Sequence, residues 1–438
     1  MKVYFHTLGC RVNQYETDAV RMLFEKKGYE SVTDPAAADI CVVNTCTVTR
    51  EADRKSGQML RRMARLNPGT IVVAMGCASE MRDGSIDADI VLGTRDRNMA
   101  VQKVEEFLAE KGVPDHKSSH KRPEVSKTDV YHELGTVVSP EGCRAFMKIQ
   151  DGCNKFCSYC IIPFARGRVV SRDEDNIIEE ARDLASRGFR EIVVSGIHVC
   201  SYGRDRGEGI EALLRVLTKI EAIKGIERIR LGSLEPMSLT EDFIGGLSKL
   251  SKFCPHFHLS LQSGSDTVLK RMNRDYTSSQ YAETVMMLRK AFPSMSLTTD
   301  VICGYPEETE EEFLETVDLI KKVGFTKIHV FPYSLREGTV AARKPQIPKD
   351  VANARSRVLL EMSETLENAF ARSFTGKITC VLVERCEPSE RGFISTGYNP
   401  EYVHCEIESE RGIEPGTIVN VRCVSSDGKT VRCVLNET

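Results

Sequence analysis

The amino-terminal part of the chain alternates short apolar runs with amphipathic stretches. Residues 2–7 have the pattern of a strand, and the stretch after them carries apolar side chains at helical spacing. Asn13 and Glu16 have the spacing of a capping box, which predicts that this helix begins near Asn13. Further strand-like runs follow at 39–44, 70–75 and 88–92. Because strands alternate with helices, we predict a parallel sheet with right-handed crossovers and assign residues 1–105 to this α/β domain.

The same alternation resumes after residue 140. Helical patterns separate six strand-like runs at 145–150, 191–196, 228–233, 257–262, 296–303 and 327–333. Six β/α units in this order predict parallel strands curled into an open barrel, which we assign to residues 141–373. Ligands of such sheets bind at the carboxyl ends of the strands.

The pattern changes at the carboxyl-terminal end of the chain. Five short β-rich runs are separated by turn residues, at 378–383, 393–396, 402–407, 417–423 and 430–435. They predict a small antiparallel β-barrel of the oligonucleotide-binding kind over residues 374–438, in which Tyr398 or Tyr402 stacks on a base. Residues 106–140 have little apolar periodicity, and we interpret them as an interdomain linker.

Composition and charge limit the possible functions. The chain has 438 residues, of which 41% are hydrophobic and 28% charged, as in a soluble protein of several domains. No apolar run approaches the ~20 residues that cross a bilayer, so we expect no membrane association and a cytoplasmic location. The formal net charge is −3. A nucleic-acid partner would therefore have to meet locally gathered basic groups.

Cysteine is unusually frequent, with 16 residues. In a cytoplasmic protein thiols stay reduced, so a disulfide framework is not expected. Cys153, Cys157 and Cys160, here called the central cysteine triplet, have the spacing C-x3-C-x2-C after a predicted strand. Such a loop can turn three thiolates onto one centre. A structural zinc site needs a fourth ligand, and none follows closely, whereas a [4Fe–4S] cluster with three Cys ligands keeps one iron open.

A second set of thiols is predicted to lie at one edge of the first sheet. Cys10, Cys46 and Cys77, here called the amino-terminal cysteine triplet, each follow a different predicted strand of the first sheet. Neighbouring strands lie about 4.8 Å apart, so the three thiols would meet at one edge and converge on a single cluster. Three isolated buried thiols are the alternative.

These motifs resemble the radical S-adenosylmethionine (SAM) methylthiotransferases. Tyr159 stands just before the last Cys of the central triplet, where that superfamily has an aromatic residue, and the resemblance covers the whole chain except the linker. The phrase from Thr7 to Glu16 is most similar to the branch that acts on threonylcarbamoyladenosine in tRNA. The carboxyl-terminal segment resembles the TRAM domain, an RNA-binding module.

The resemblance implies SAM and two [4Fe–4S] clusters as cofactors. The central triplet would hold the cluster that cleaves SAM to a radical, and the amino-terminal triplet the cluster that carries the sulfur. The implied activity is insertion of a methylthio group at C2 of threonylcarbamoyladenosine at position 37 of tRNA. Implied partners are the tRNA anticodon loop, a reducing protein such as flavodoxin or ferredoxin, and a sulfur donor. The alternatives are isopentenyladenosine tRNA, a ribosomal protein, or a non-catalytic iron–sulfur RNA-binding protein.

Further site residues follow partly from the resemblance and partly from the pattern. By analogy Tyr159, Gly196, Gln262 and Asp300 lie near SAM, whereas Cys200 and Cys303 have no counterpart and are expected to be buried, inert thiols. Six basic residues are candidate RNA contacts. Four share one narrow arc of a predicted helix, and two follow the central triplet: Arg50, Arg54, Arg61, Arg65, Arg166 and Arg168. A solvated helix face is the alternative interpretation.

Overall fold

The computed structural model describes residues 1–66, 68–110, 114–120, 130–138 and 142–436. It contains two α/β units followed by a small β-barrel, which confirms the predicted fold class. Within these described ranges, no helix is both long and apolar enough to cross a membrane.

The amino-terminal unit is built on a five-stranded parallel sheet. Its strands lie in the order Glu30–Val32, Lys2–Thr7, Ile40–Thr45, Ile71–Gly76 and Ile90–Val91. The third and fourth strands of this order are buried along their whole length, because helices cover both faces of the sheet. The helices of this unit are Arg11–Lys26, Arg50–Leu66, Cys77–Met81 and Ala100–Ala109, with short 3₁₀ turns at Pro35–Ala37 and Arg97–Met99.

The first helix begins earlier than the capping-box pattern predicts. Cys10 is its N-cap residue, and the helix runs from Arg11 to Lys26. Asn13 and Glu16 therefore lie inside the helix, where they are 1% and 0% exposed. The prediction of a capping box is wrong because tertiary contacts recruit both side chains to the interface with the second α/β unit.

The predicted linker is packed where the structure describes it. The helix Ala100–Ala109 continues past residue 105, and Ser118–His120 pairs antiparallel with Gly84–Ile86. Tyr131 donates a 2.8 Å hydrogen bond to the carbonyl of Lys148. Residues 111–113, 121–129 and 139–141 lie outside the described residues, and the domain boundaries stay a prediction.

The central unit contains six parallel strands that curve into an open barrel. In spatial order these are Arg144–Asp151, Glu191–Gly196, Arg228–Leu231, His256–His258, Ser296–Cys303 and Lys327–Pro332. A short strand, Val170–Ser171, pairs antiparallel at the edge. The short helix Ile162–Arg166 packs against Cys77–Met81 at the interface with the amino-terminal unit. The other helices of this unit are Glu174–Ser186, Glu211–Glu221, Glu241–Leu247, Asp266–Arg271, Ser278–Ala291, Glu310–Val323 and Lys349–Arg372. Short 3₁₀ turns lie at Val199–Ser201, Arg204–Arg206, Pro236–Ser238 and Ala341–Arg343.

The inner wall of this open barrel carries charged and polar side chains beside apolar ones. Along the first strand, Ala145, Met147 and Ile149 pack into the main hydrophobic core, while Arg144 and Phe146 line an internal cavity. Closed barrels of this architecture fill their interior with branched apolar side chains. The cavity, with charged side chains in its wall, therefore indicates a space for a ligand instead of a packed core.

The carboxyl-terminal barrel closes on five strands, as predicted. They lie in the order Ile378–Ser389, Gly392–Tyr398, His404–Ser409, Thr430–Leu435 and Ile418–Ser426. The pairing is antiparallel except at one seam, where His404–Ser409 and Thr430–Leu435 pair parallel. Closing the barrel leaves these two strands adjacent although a whole strand separates them in sequence.

The barrel is docked firmly onto the central unit. Arg228 donates to the backbone carbonyls of Tyr398 and Cys380 at 2.9 and 2.8 Å, and Arg230 donates to that of Pro400 at 2.8 Å. Both arginines are nearly fully buried. Strand residues of one unit thus satisfy the backbone of the other, and the barrel covers the amino-terminal end of the open barrel.

Candidate iron–sulfur and SAM sites

The amino-terminal cysteine triplet lies at one edge of the first sheet. Strand pairing aligns Thr7 with Asn44 and Thr45 with Gly76, so the three strand ends are level. The thiols follow these ends directly and affect one another electrostatically, since Cys10 and Cys46 both raise the pKa of Cys77. The structure therefore brings together the three cysteines that the strand pattern predicts.

Two glycines allow the turns to approach each other. Gly9 has φ +110°, and a Cβ at this position would come within 2.9 Å of the Cβ and Sγ of Cys46. Gly76 has φ +97°, and a Cβ there would lie 2.2 Å from Asn44 Oδ1. A side chain at either position would push the cysteine-bearing turns apart.

A buried arginine from the central unit reaches this triplet. The side chain of Arg166 is 0% exposed, and its positive charge opposes the rise that burial causes in the pKa of the Cys77 thiol. Its two Nη atoms also donate to Glu16 at 2.8 and 3.0 Å, to Asn13 Oδ1 at 2.8 Å and to Asp151 at 3.1 Å. Arg166 therefore joins both α/β units to the amino-terminal triplet.

Charge in this interface is not balanced by carboxylates alone. Three cations, Arg97, Lys148 and Arg166, surround two carboxylates, those of Glu16 and Asp151. Burial and the two neighbouring arginines lower the pKa of Lys148 to about 7, although Asp151 opposes the shift. Of these cations, Arg166 acts on Cys46 and Cys77, where a deprotonated thiolate would compensate its charge.

The central cysteine triplet occupies the loop after the strand Arg144–Asp151. Gly152, with φ +70°, turns the chain, and a Cβ there would lie 1.9 Å from the carbonyl oxygen of Arg168. The Cys153 N–H donates to Gly167 and the Cys160 N–H to Cys157, at 3.1 and 2.9 Å. These bonds fold the loop into a compact turn.

An arginine also contacts the central triplet. Arg274 Nη1 lies 3.3 Å from Cys157 Sγ, and its Nη2 forms an ion pair with Glu235 at 2.8 Å. Asn273 adopts φ +59° and donates to the carbonyl of Phe156 at 3.1 Å, which holds the loop from the outside. Each triplet thus has one buried arginine on a thiol, a placement that stabilises negatively charged sulfur.

The thiols have the chemistry of cluster ligands. All sixteen cysteines, each within the described residues, are free thiols. Burial raises the pKa of Cys160 to about 12 and that of Cys77 to about 11, so these thiols stay protonated until a metal displaces the proton.

Neither cysteine triplet forms a compact single-ion site among the described residues. Among the described residues, no three His, Cys, Asp or Glu side chains are close enough together to bind one ion. A cubane cluster presents its irons at separate corners, so its thiolates lie further apart than ligands of a mononuclear site. Three cysteines around an arginine-lined space fit such a cluster.

The predicted SAM-binding residues lie at the strand ends around the central triplet. Gly196 ends the second strand, where a Cβ would meet Gln150 Oε1 at 2.8 Å. Gln262 adopts φ +68°, a strained conformation that is fixed by backbone bonds to Asp300 and Ile302. Asp300 is 30% exposed and pairs with His258 Nε2 at 3.3 Å. Tyr159 is half-buried and packs against the cluster of Val268, Met272 and Tyr305. Their roles toward SAM stay a prediction.

Cys200 and Cys303 are both 1% exposed, as expected of inert thiols. Cys200 Sγ accepts the N–H of Glu235 at 3.4 Å. It therefore supports the carboxylate that holds Arg274, without belonging to either triplet.

The predicted RNA-contacting arginines separate into two groups. Arg50, Arg54, Arg61 and Arg65 are exposed on the helix Arg50–Leu66. Arg166 is fully buried, so the prediction that it contacts RNA is wrong, since the carboxylates at the interface recruit it. Arg168 is half-buried, with its guanidinium 4.7 Å from the Phe156 ring centre.

Three candidate functional residues were not predicted from the sequence. Arg62 is exposed beside Arg61 and Arg65 and lines a shallow groove with them. Its place directly after Arg61 in the sequence could have indicated that Arg62 belongs to the same basic surface. Arg274 and Glu235 are far from the cysteines in sequence, and no sequence feature predicts their place beside the central triplet.

Tyr398 and Tyr402 are engaged within the protein. Their rings stack at 4.7 Å, with the Arg144 guanidinium 5.0 Å from each. Tyr402 also lies 4.8 Å from the guanidinium of Arg230. These contacts hold both rings against the protein, and stacking of Tyr398 or Tyr402 on a base stays a prediction.

The fold and the two cysteine sites together define a radical SAM protein. Residues 147–320 match the radical SAM superfamily, and residues 2–92 match the uncharacterized protein family UPF0004. A similar fold occurs in the radical S-adenosylmethionine methyltransferase TsrM from Kitasatospora setae, solved with cobalamin and a [4Fe-4S] cluster bound. The TM-score is 0.58 at 15% identity, covering 78% of this chain and 77% of that one.

Curated relatives define the family more narrowly. The chain is 38% identical to threonylcarbamoyladenosine tRNA methylthiotransferase MtaB of Bacillus subtilis, over 99% of this chain and 97% of that protein. It is 39% identical to the protein of the same name from Aquifex aeolicus, over 87% and 93%. It is 35% identical to tRNA-2-methylthio-N(6)-dimethylallyladenosine synthase of a Thermoanaerobacter species, over 87% and 82%. The chain belongs to the radical SAM methylthiotransferase family, and the predicted cofactors, SAM and [4Fe–4S] clusters, are those of this family.

Proposed function

We propose that the protein is a tRNA methylthiotransferase that modifies C2 of threonylcarbamoyladenosine in the anticodon loop. The observation that carries this proposal is the cavity between the open barrel and the carboxyl-terminal barrel, whose wall includes five arginine or lysine side chains. Its volume is about 550 Å³, and Arg11, the residue after Cys10, lines it. A dimethylallyl group is a hydrocarbon, whereas a threonylcarbamoyl group carries a carboxylate and a hydroxyl. The charged wall favours the second group.

The names of the relatives support the same substrate. Three threonylcarbamoyladenosine-type relatives are 36–39% identical to this chain. The dimethylallyladenosine-type relatives are 32–35% identical. The difference is small, so the character of the cavity is the stronger support.

The residues divide the work between two sites. Cys153, Cys157 and Cys160 would hold one cluster beside SAM, and the amino-terminal triplet would hold the other. When bound, these groups supply the radical that removes hydrogen from C2 and the sulfur that replaces it. Arg274 and Arg166 would hold the thiolates in place through charge-assisted hydrogen bonds.

Recognition of tRNA would rest on local basic surface. The helix Arg50–Leu66 starts four residues after Cys46, and its exposed arginines would meet phosphates. A base must leave its stack to reach a buried radical, which favours a single-stranded loop. The cycle also requires a reducing protein such as flavodoxin or ferredoxin and a sulfur donor. A tRNA substrate implies a cytoplasmic location.

Mass spectrometry of tRNA nucleosides tests the proposal. Cells without the gene should lack 2-methylthio-threonylcarbamoyladenosine and accumulate its precursor, and plasmid-borne protein should restore it. Loss of the methylthio derivative of isopentenyladenosine instead would assign the protein to the other branch. Unchanged nucleosides in both cases would refute the proposal.

A further inference from the structure

The cavity of the open barrel is lined by five arginine or lysine side chains, and four of them already have carboxylate partners. Those four pairs are Arg144 with Glu384 at 2.6 Å, Arg230 with Glu191 at 3.0 Å, Lys327 with Glu367 at 2.8 Å and Lys429 with Glu367 at 3.7 Å. These cations are committed to the protein's own carboxylates. They stabilise the cavity wall, and their charge is already paired before a ligand binds.

Arg11 is the exception. No Asp or Glu of the described chain lies within ion-pair distance of it, and its guanidinium carbon sits 4.9 Å from the centre of the Phe146 ring. The helix that it opens also has no acidic residue in its first turn. Arg11 is exposed to solvent and lines the cavity, so its uncompensated charge is accessible to a ligand and is held by an aromatic face that does not neutralise it.

The imidazoles in the same wall do not replace Arg11 as a charge. Burial lowers the pKa of His256 well below its usual value, and burial with the neighbouring His258 lowers that of His329. These rings are neutral near pH 7 and offer hydrogen bonds. The cavity thus combines one cation that has no carboxylate partner with the imidazoles of His256 and His329, whose pKa values are lowered.

We propose that Arg11 binds the carboxylate of the threonylcarbamoyl group and so selects this nucleoside; the inference rests on the proposed function. Threonine joined through its amine keeps a free carboxylate, and a guanidinium binds carboxylates with two parallel hydrogen bonds. Because Arg11 directly follows Cys10, a nucleoside held by it lies next to the amino-terminal triplet. The helix N-terminus adds favourable potential for an anion.

The same arrangement rejects the hydrocarbon-bearing nucleoside. A dimethylallyl group in the cavity would remove water from the guanidinium and give it no partner. Leaving a buried polar group unpaired is the strongest means by which a site discriminates between similar substrates. Phe146 adds to this by orienting the guanidinium before the substrate arrives, which lowers the ordering cost of binding.

A pair of matched substrates tests the inference. Reconstituted protein is assayed on an anticodon stem-loop carrying threonylcarbamoyladenosine and on one carrying its methyl ester, which has nearly the same shape without the charge. Wild-type protein should prefer the acid by roughly 10- to 100-fold in kcat/KM. Arg11→Gln should lose this preference through a higher KM for the acid, with little change for the ester. Arg11→Lys should be intermediate, because it keeps the charge without the two-pronged geometry.

Two further variants separate recognition from damage to the nearby cluster site. Phe146→Leu leaves the cysteine turn untouched and should reduce the acid preference severalfold. Arg187→Gln alters an exposed ion pair with Asp183 and should keep the wild-type preference. Iron content is measured for every variant.

The outcomes distinguish the two proposals. If wild-type protein modifies neither stem-loop, the proposed function and the role of Arg11 both fall. If wild-type protein prefers the acid but Arg11→Gln and Phe146→Leu keep that preference, the role of Arg11 alone is refuted. An equal rate on acid and ester in wild-type protein would also overturn it.

Discussion

Replacing Arg166 should destabilise the interface between the two α/β units. Arg166→Gln removes the guanidinium that bonds Glu16, Asn13 and Asp151 at 2.8–3.1 Å with no exposure to solvent. Glutamine can reach at most part of this set and brings no charge. Arg97 and Lys148 remain beside the two carboxylates, so the loss is partial.

The size of the effect follows from the burial of the pair. Removing one partner of a buried ion pair costs about 3–5 kcal/mol, and the two remaining cations place this case near the lower limit. With a midpoint shift of about 2–4 °C per kcal/mol for a domain of 150–250 residues, the unfolding midpoint should fall by about 6–12 °C. The unfolding midpoint of Arg166→Lys should lie between those of wild type and Arg166→Gln. Lysine restores the positive charge but not the paired hydrogen bonds of the guanidinium.

Differential scanning calorimetry of the cluster-free, reduced protein measures this shift without a contribution from iron. The first unfolding transition is compared, because a protein of several domains need not unfold in one step. Arg54→Gln is the matched control: its pair with Glu51 is exposed, and the midpoint should stay close to wild type. Equal midpoints for Arg166→Gln and Arg54→Gln would refute the structural role of the network.

Two other predictions concern tRNA binding and the barrel. Changing Arg61, Arg62 and Arg65 to Glu should weaken tRNA binding in filter-binding assays and flatten its salt dependence, since each lost phosphate contact lowers the slope by about one. The control is the double variant Lys321→Glu with Lys322→Glu on an outer helix. Equal losses of affinity in both variants would argue against a specific surface. Deleting residues from Lys377 onward should lower the unfolding midpoint of the remaining chain, because Arg228 and Arg230 lose their carbonyl acceptors. An unchanged midpoint would show that the barrel does not stabilise the rest of the chain.

The sequence predicts the cysteine positions well because they depend on topology. Once the strands before Cys10, Cys46 and Cys77 are recognised as parallel neighbours, the meeting of the three thiols follows. The same holds for the exposed arc of the helix Arg50–Leu66, which depends only on helical periodicity.

What the pattern misses are side chains whose partners come from distant segments. Arg166 resembles any surface arginine in sequence, and only the approach of Glu16, about 150 residues earlier, buries it. Arg274 is placed on Cys157 by a turn more than a hundred residues away. Arg11 is visible in the sequence, but its lack of a carboxylate partner becomes apparent only when the cavity wall is assembled.

Iron quantification on anaerobically reconstituted variants tests most directly whether each cysteine triplet holds one cluster. Wild-type protein should bind about eight irons per chain, and replacing either triplet by alanine should leave about four. Cys200→Ala and Cys303→Ala, which alter buried thiols outside both triplets, should keep the full content. A triplet variant that retains all eight irons, or a Cys200 or Cys303 variant that loses four, would contradict the assignment.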